Sequence, residues 1–229
     1  MMETVQKNEF IAFRFKGYAN ESLFDSNIEV ELKKLDPKAK AEESIIVVGK
    51  GMVVPGLDRS FEGKEIGKEY EINLEAKDGF GERRRELVKT IPLKTFTDNK
   101  INPYPGLSLT LDGMLAKIIT ISGARVVTDF NNPLAGKKLR YVFTVTRKVI
   151  EDKERAESLF KVIFRMVPEF EIKESIIVKG PEILEQYVKA FSPQFKELMG
   201  RELSFELKEE EKSDKNDLHE HSHEHNHEN

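Results

Sequence analysis

Apolar and polar residues alternate over Glu9–Tyr18, where Ile11, Phe13 and Phe15 take one parity and Arg14 and Lys16 the other. A period of two carried by aromatic and β-branched residues predicts a half-buried strand. A polar break at Asn20-Glu21 precedes Leu23-Phe24-Asp25, and a second apolar run, Ile45–Val48, leads into Gly49-Lys50-Gly51. Val53-Val54 follow, and Pro55-Gly56 end the extended stretch. Asp58–Glu62 predicts a short helix that stops at Gly63, and Tyr70, Ile72 and Leu74, alternating with charges, predict another strand.

From Arg83 to Asn132 the texture changes. Ile91-Pro92-Leu93 to Phe96 predicts a helical turn. Leu107, Leu109 and Leu111 alternate and meet Asp112-Gly113, a hairpin signal. Ile118, Ile119 and Ile121 run into Ser122-Gly123 before Val126-Val127, so the segment reads as a compact β-rich insert. Leu139–Val149 alternates again, with Tyr141, Phe143 and Val145 on one face, as a strand returning to the first domain. Arg155–Val167 has near-helical apolar spacing, and Glu171–Val178 reads as one strand. Pro181–Ala190 predicts a helix with proline at its first position, Phe195–Met199 an extension of it beyond a break at Ser192-Pro193, and Leu203–Leu207 a last strand. Lys208–Asn229 is charged, histidine-rich and nearly free of hydrophobics, the composition of a disordered tail.

Composition narrows the classes. Hydrophobic residues at 38% allow a packed core, and the absence of cysteine excludes disulfides, thiolate nucleophiles and sulfur metal sites. That absence suits a reducing compartment. The N-terminus lacks an apolar signal region, and no run approaches the roughly 18 apolar residues of a membrane helix. A soluble, cytoplasmic protein with no membrane partner is expected. Glu206–Asn229 holds nine acidic residues against three lysines, a local −6 within the net −4, so the remainder carries +2. Such a near-neutral body offers no basic face for nucleic acid.

Taken in chain order, a set of short motifs resembles an FKBP-type peptidyl-prolyl cis-trans isomerase. They are Tyr18, Leu23-Phe24-Asp25-Ser26, Val48-Gly49-Lys50-Gly51-Met52-Val53-Val54-Pro55-Gly56-Leu57, Asp78-Gly79-Phe80-Gly81, Asn132-Pro133-Leu134-Ala135-Gly136 and the strand through Tyr141 and Phe143. None is specific alone; their order carries the resemblance. The segment between Gly81 and Leu134 stands where SlyD-like members carry an insert-in-flap domain, and the C-terminal module resembles that of the long archaeal FKBPs. The resemblance implies an α+β fold, an antiparallel half-barrel wrapped on a short helix starting near Leu57. It also implies an inserted small β-rich domain and a C-terminal α/β module. The expected bounds are residues 1–82 with 133–150 for the isomerase, 83–132 for the insert, 151–207 for the module and 208–229 for a disordered acidic tail.

The activity implied is rotation about X–Pro amides, whose partial double bonds impose a barrier of about 18–20 kcal/mol. Rotation needs no nucleophile, metal or cofactor. An apolar cleft favours it, because the twisted amide is less dipolar and depends less on water. By the resemblance, Tyr18, Phe24, Asp25, Val53, Val54, Leu57, Phe80 and Tyr141 line this catalytic pocket. Leu57 would be its floor, and Val53 and Val54 a wall with a backbone N–H for the substrate carbonyl. Asp25 would stand near the carbonyl carbon and accept a hydrogen bond from Tyr18. Taken singly, Val53, Val54, Phe13 and Phe143 read equally well as core, and Asp25 as a turn cap. Two residues depart from the family pattern. Leu57 stands where many members have tryptophan, and Phe80 where many have tyrosine, whose hydroxyl supplies a hydrogen bond of about 1 kcal/mol.

Tyr104, Leu107, Met114, Leu115, Ile118 and Ile119 give the insert more apolar residues than so small a domain easily buries. Surplus apolar surface suits capture of unfolded or nascent chains, while the alternative is that these residues form the insert's own core. The expected partners are therefore unfolded polypeptides and proline-containing peptides. His219, His221, His223, His225 and His227 alternate with polar residues, and five imidazoles on a flexible chain can ligate nickel, copper or zinc without a preformed cage. This resembles the SlyD tail without its cysteines; a merely solubilising tail is the other reading. The apolar helices of the C-terminal module suit docking on the first domain, binding of clients or pairing of two chains, and pairing into a homodimer is the reading preferred, because amphipathic elements this short need partners. Two other functions compete: a non-catalytic holdase, favoured by Leu57 and Phe80, and a nickel-handling protein acting through the tail.

Overall fold

A computed structural model describes residues 3–208. The chain divides into two compact units between Val162 and Ile163. In the first, β1 (Phe10–Ala19), β2 (Ser22–Ser26), α1 (Glu29–Leu35), β3 (Ser44–Val47), α2 (Pro55–Ser60) and β4 (Glu69–Leu74) precede the insert. The insert holds β5 (Val88–Pro92), α3 (Leu93–Asp98), β6 (Ser108–Leu111), β7 (Met114–Ser122) and β8 (Arg125–Asp129). β9 (Leu139–Lys148) and α4 (Asp152–Ile163) follow it. The fold is α+β, with few helices and with both sheets of this first unit antiparallel.

β1 is the spine of the main sheet. β9 pairs with it from Ile11 to Ala19, and β4 extends the sheet beyond β9. On the other edge, β3 takes Phe10–Phe13 and β2 takes Lys16–Ala19. The alternation along β1 sends Ile11, Phe13, Phe15 and Ala19 into the core with Phe143 and Val145 of β9. α2 packs on that face through Leu57 and Phe61, four residues apart and so on one side of the helix. Phe61 meets Phe13 and Phe143 edge-on, with ring centroids 4.8 Å from each.

The helix begins at Pro55, three residues before the predicted Asp58. Proline at the first helical position has no donor to lose and the right fixed φ, so Pro55-Gly56 starts the helix rather than ending the strand. Gly56 is required there: a Cβ would lie 2.5 Å from Leu74 Cδ2 and 3.0 Å from the Asp78 carbonyl oxygen. Asp58 is buried, and its two carboxylate oxygens accept the Gly49 and Gly51 N–H groups at 2.8 Å each. Both glycines have positive φ, +80° and +68°, which a side chain would strain. α2 thus holds the turn that leads into Met52-Val53-Val54. α1 gave no signal in the sequence because it buries no residue. Its Glu29–Lys33 and Glu31–Lys34 pairs, four and three residues apart, support it from the solvent side.

The insert is a four-stranded antiparallel sheet in the order β5-β8-β7-β6. Phe96 of α3 packs on Ile118 and Val126 to form its core. Ile91-Pro92 belongs to a strand, and the predicted helical turn starts only at Leu93. A polar clasp closes the neck. Asp129 pairs with Arg83 and accepts the Asn131 N–H at 2.9 Å and its Nδ2 at 2.7 Å. Asn131 Oδ1 accepts the Arg84 N–H at 2.8 Å.

The second unit contains β10 (Glu169–Ile172), β11 (Ile176–Gly180), α5 (Ile183–Met199) and β12 (Leu203–Leu207), with β11 central and β12 parallel to it. The run expected to be one strand is a hairpin, turned where the Lys173 N–H reaches the Ser175 carbonyl at 2.9 Å. α5 runs through Pro193 without a break. Ser192 Oγ accepts the Leu203 N–H at 2.9 Å and so ties the proline turn to β12. Among the described residues, no helix is long and apolar enough to cross a membrane.

Replacing Asp58 by alanine strands two backbone donors and frees the Gly49–Gly51 turn. A loss of about 1–3 kcal/mol is expected in urea unfolding, with amide exchange rising first at Gly49 and Gly51. Unchanged exchange there would contradict the pinning role.

Candidate active site

One cleft of about 1000 Å³ opens on the core face of the main sheet. Its inner end is lined by Phe13 and Phe15 of β1, Tyr141 of β9, Leu57 of α2, Val53-Val54 before that helix, and Phe80. Phe24 closes the aromatic wall, its ring edge-on to Tyr141 at 5.9 Å and to Phe80 at 6.1 Å. Gly17 makes this contact fit: a Cβ there would stand 2.9 Å from Phe24 Cζ and 3.1 Å from Tyr141 Cε1. Edge-to-face ring pairs of this kind add roughly 0.5–1.5 kcal/mol beyond their burial and fix the wall's shape.

Polar groups are sparse at this end. Asp25 sits at the mouth, open to solvent on one side and crowded by the pocket on the other. Burial pushes its carboxyl above the ordinary 3.8, and the Ser26 backbone pulls it part of the way back. Burial also drives the Tyr141 phenol well above its ordinary 10, and the Asp25 charge adds to the shift. Tyr141 therefore stays a neutral hydroxyl at any physiological pH. The Val54 N–H has no partner in the chain among the described residues, while its carbonyl accepts the Asp58 N–H at 3.0 Å. A free amide beside an apolar floor can receive a carbonyl oxygen.

Of the residues expected in the pocket, seven converge: Phe24, Asp25, Val53, Val54, Leu57, Phe80 and Tyr141. Tyr18 does not join them. It shares the outward parity of Arg14 and Lys16, and its ring carries the Arg140 guanidinium 4.1 Å from its centroid. The expected hydrogen bond from Tyr18 to Asp25 is accordingly absent. The β1 rings that line the pocket are Phe13 and Phe15, on the face of the sheet opposite Tyr18. Ile46 and Met52 also line the cleft. In the insert, Tyr104, Met114, Leu115 and Ile119 are 58, 46, 52 and 45% exposed. Ile118 is fully buried and Leu107 packs against the same core, so neither belongs to an open surface. The five tail histidines lie outside the described residues.

Comparison with known proteins agrees with this geometry. The FKBP-type peptidyl-prolyl cis-trans isomerase family model matches residues 2–97, and the FKBP26, IF domain model matches residues 89–134. A short-type peptidyl-prolyl cis-trans isomerase of Methanocaldococcus jannaschii is 29% identical over 148 residues, 63% of this chain and 94% of the relative. The SlyD isomerase of Haemophilus influenzae is 32% identical over 100 residues, 42% of this chain and 53% of the relative. That of Treponema pallidum is 29% identical over 121 residues, covering 50% and 68%. The match thus spans nearly all of the archaeal relative and about half of the Haemophilus one. The chain belongs to the FKBP-type peptidyl-prolyl cis-trans isomerases and carries an insert-in-flap domain. Isomerases of this type need no cofactor for catalysis.

Asp25→Asn should separate stability from activity. The raised carboxyl means that the folded chain holds its proton more tightly than the unfolded chain does. Ionised Asp25 therefore costs stability at neutral pH, and that cost vanishes as pH falls below the ordinary 3.8. The variant should melt slightly above the parent at pH 7, with the gap closing in acid, while kcat/KM falls about tenfold through loss of one charged contact. A melting point that drops at pH 7 would contradict the assignment.

Proposed function

We propose that the cleft binds a prolyl segment with its ring over Leu57 and accelerates rotation of the preceding amide. The observation that carries this is the convergence of an aromatic wall, an apolar floor and the Val54 N–H, which has no partner among the described residues, around one hollow. As the amide twists, nitrogen and carbonyl lose conjugation and the group loses dipole. A pocket that supplies little solvation disfavours the planar ground states more than the twisted one. The Val54 N–H holds the carbonyl oxygen of the bound chain, and Asp25 at the mouth faces the carbonyl carbon. Leu57 in place of tryptophan widens the floor, and Phe80 in place of tyrosine withholds one hydrogen bond. Both adjust rate and affinity and leave the mechanism in place.

Exposed Tyr104, Met114, Leu115 and Ile119 support a second role for the insert, transient capture of unfolded chains. Leu115 and Ile119 point outward from β7, while Ala116 and Ile118 point inward. Capture by a domain tethered beside the pocket raises the local concentration of prolyl bonds. On this reading residues 1–82 with 133–150 isomerise and residues 83–132 capture. Its clients are proline-containing and unfolded chains, and a chain without cysteine suits the cytoplasm. Ile183 and Tyr187, both exposed on α5, support pairing of two chains through the second unit.

A refolding assay on a protein limited by proline isomerisation tests both roles. The full chain at micromolar concentration should speed the slow phase, and absence of acceleration would remove the enzymatic reading. Changing Met114, Leu115 and Ile119 to serine should weaken suppression of client aggregation at least severalfold. Isomerisation of a proline tetrapeptide, which needs only the pocket, should persist. Equal loss of both would show that capture and catalysis are not divided in this way.

A further inference from the structure

The cleft does not end at the prolyl pocket. Past Ile46 and Met52 it continues between the Glu42–Ile45 segment and one side of α4, where Glu154, Glu157, Ser158, Lys161 and Val162 line it. These positions recur at steps of three and four, so they form a single stripe along the helix. Ala156, Leu159 and Phe160 of the same helix are buried. Two ion pairs fix the stripe to the rest of the cleft. The Glu154 carboxylate takes the Arg147 guanidinium at 2.5 and 2.9 Å, and the Lys161 ammonium reaches Glu42 at 2.9 Å. Arg147 also meets Glu43 at 3.3 Å.

Both cations of this wall are therefore already matched to carboxylates. Glu157 stands between the two pairs, about one turn from each, and meets no cation within ion-pair range among the described residues. Ile45 and Val162 line the same stretch and supply apolar surface beside it. A carboxylate without a counter-charge, next to apolar surface, matches a lysine or arginine side chain, which buries its stem and keeps its head polar. A cleft of about 1000 Å³ also holds several residues of chain, far more than one prolyl ring.

We propose that α4 forms the outer wall of the substrate groove and that Glu157 selects chains carrying a basic residue close to the isomerised proline. The proposal rests on the prolyl-pocket reading above and adds a specificity element to it. It places helix α4, which follows the last strand of the main sheet, in contact with substrate.

The test uses short unstructured peptides with one proline and lysine, glutamine or glutamate placed in turn at each flanking position. Exchange NMR gives the catalysed rate with the full chain. At low ionic strength the lysine peptide should exceed the glutamate peptide in kcat/KM by about two- to fivefold at one or two positions. Added salt should shrink the ratio. Glu157→Gln should bring the ratio towards one, and Glu157→Lys should invert it; thermal melts check that both variants are folded. A ratio near one in the parent, or the parent's ratio retained in Glu157→Gln, overturns the proposal while leaving the pocket intact. Failure to accelerate any peptide overturns the pocket reading and this proposal together.

Discussion

The ring of Phe61, set edge-on between Phe13 and Phe143, is the contact on which the pocket depends. It fixes a helix of only six residues, too short to be stable by itself, against the centre of the sheet. Everything that defines the cleft follows from where that helix sits. Its first turn puts Leu57 on the floor and leaves the Val54 amide free at the edge. Its Asp58 reaches back to the Gly-Lys-Gly turn and so places Met52 and Val53. Gly56 and Gly17 serve the same geometry by omission, since a single methyl at either would push the helix or the aromatic wall away.

The chemistry is economical because the reaction asks for little. No bond to substrate is made or broken, so the site has no nucleophile to activate and no proton to transfer. What the residues supply is shape and the absence of water. Burial pushes the Tyr141 phenol further above its ordinary 10, and the wall it shares with Phe24 and Phe15 is held by ring contacts, edge-on to Phe24 and tilted to Phe15. Asp25, at the mouth, is the one charge beside the aromatic part of the cleft among the described residues. Its raised carboxyl shows a group kept in an environment that costs stability, as expected where a residue is placed for binding.

The insert joins the isomerase through a polar clasp of Arg83, Arg84, Asp129 and Asn131, and it has its own core around Phe96, Ile118 and Val126. A separate core lets it keep apolar residues on its outer side without weakening the pocket. α4 contributes at the opposite, charged end of the cleft. The groove therefore grades from aromatic through apolar to charged.

The sequence by itself determined β1, β4 and β9, the hairpins of the insert, and the order of motifs that places the chain in its family. Those signals are local: alternation, turn residues and a Pro-Gly pair report backbone preference over a few positions. It left α1 unseen, because that helix has no buried face, and it split α5 at a proline whose neighbour is tied to β12. Only the tertiary structure decided between Tyr18 and Phe15, residues three apart on a bulged strand that face opposite sides of the sheet. It also decided that Ile118 is core while Ile119 is surface, and that α4 borders the cleft. These outcomes depend on which face meets a distant partner, and pairing between remote segments leaves no periodic trace in the chain.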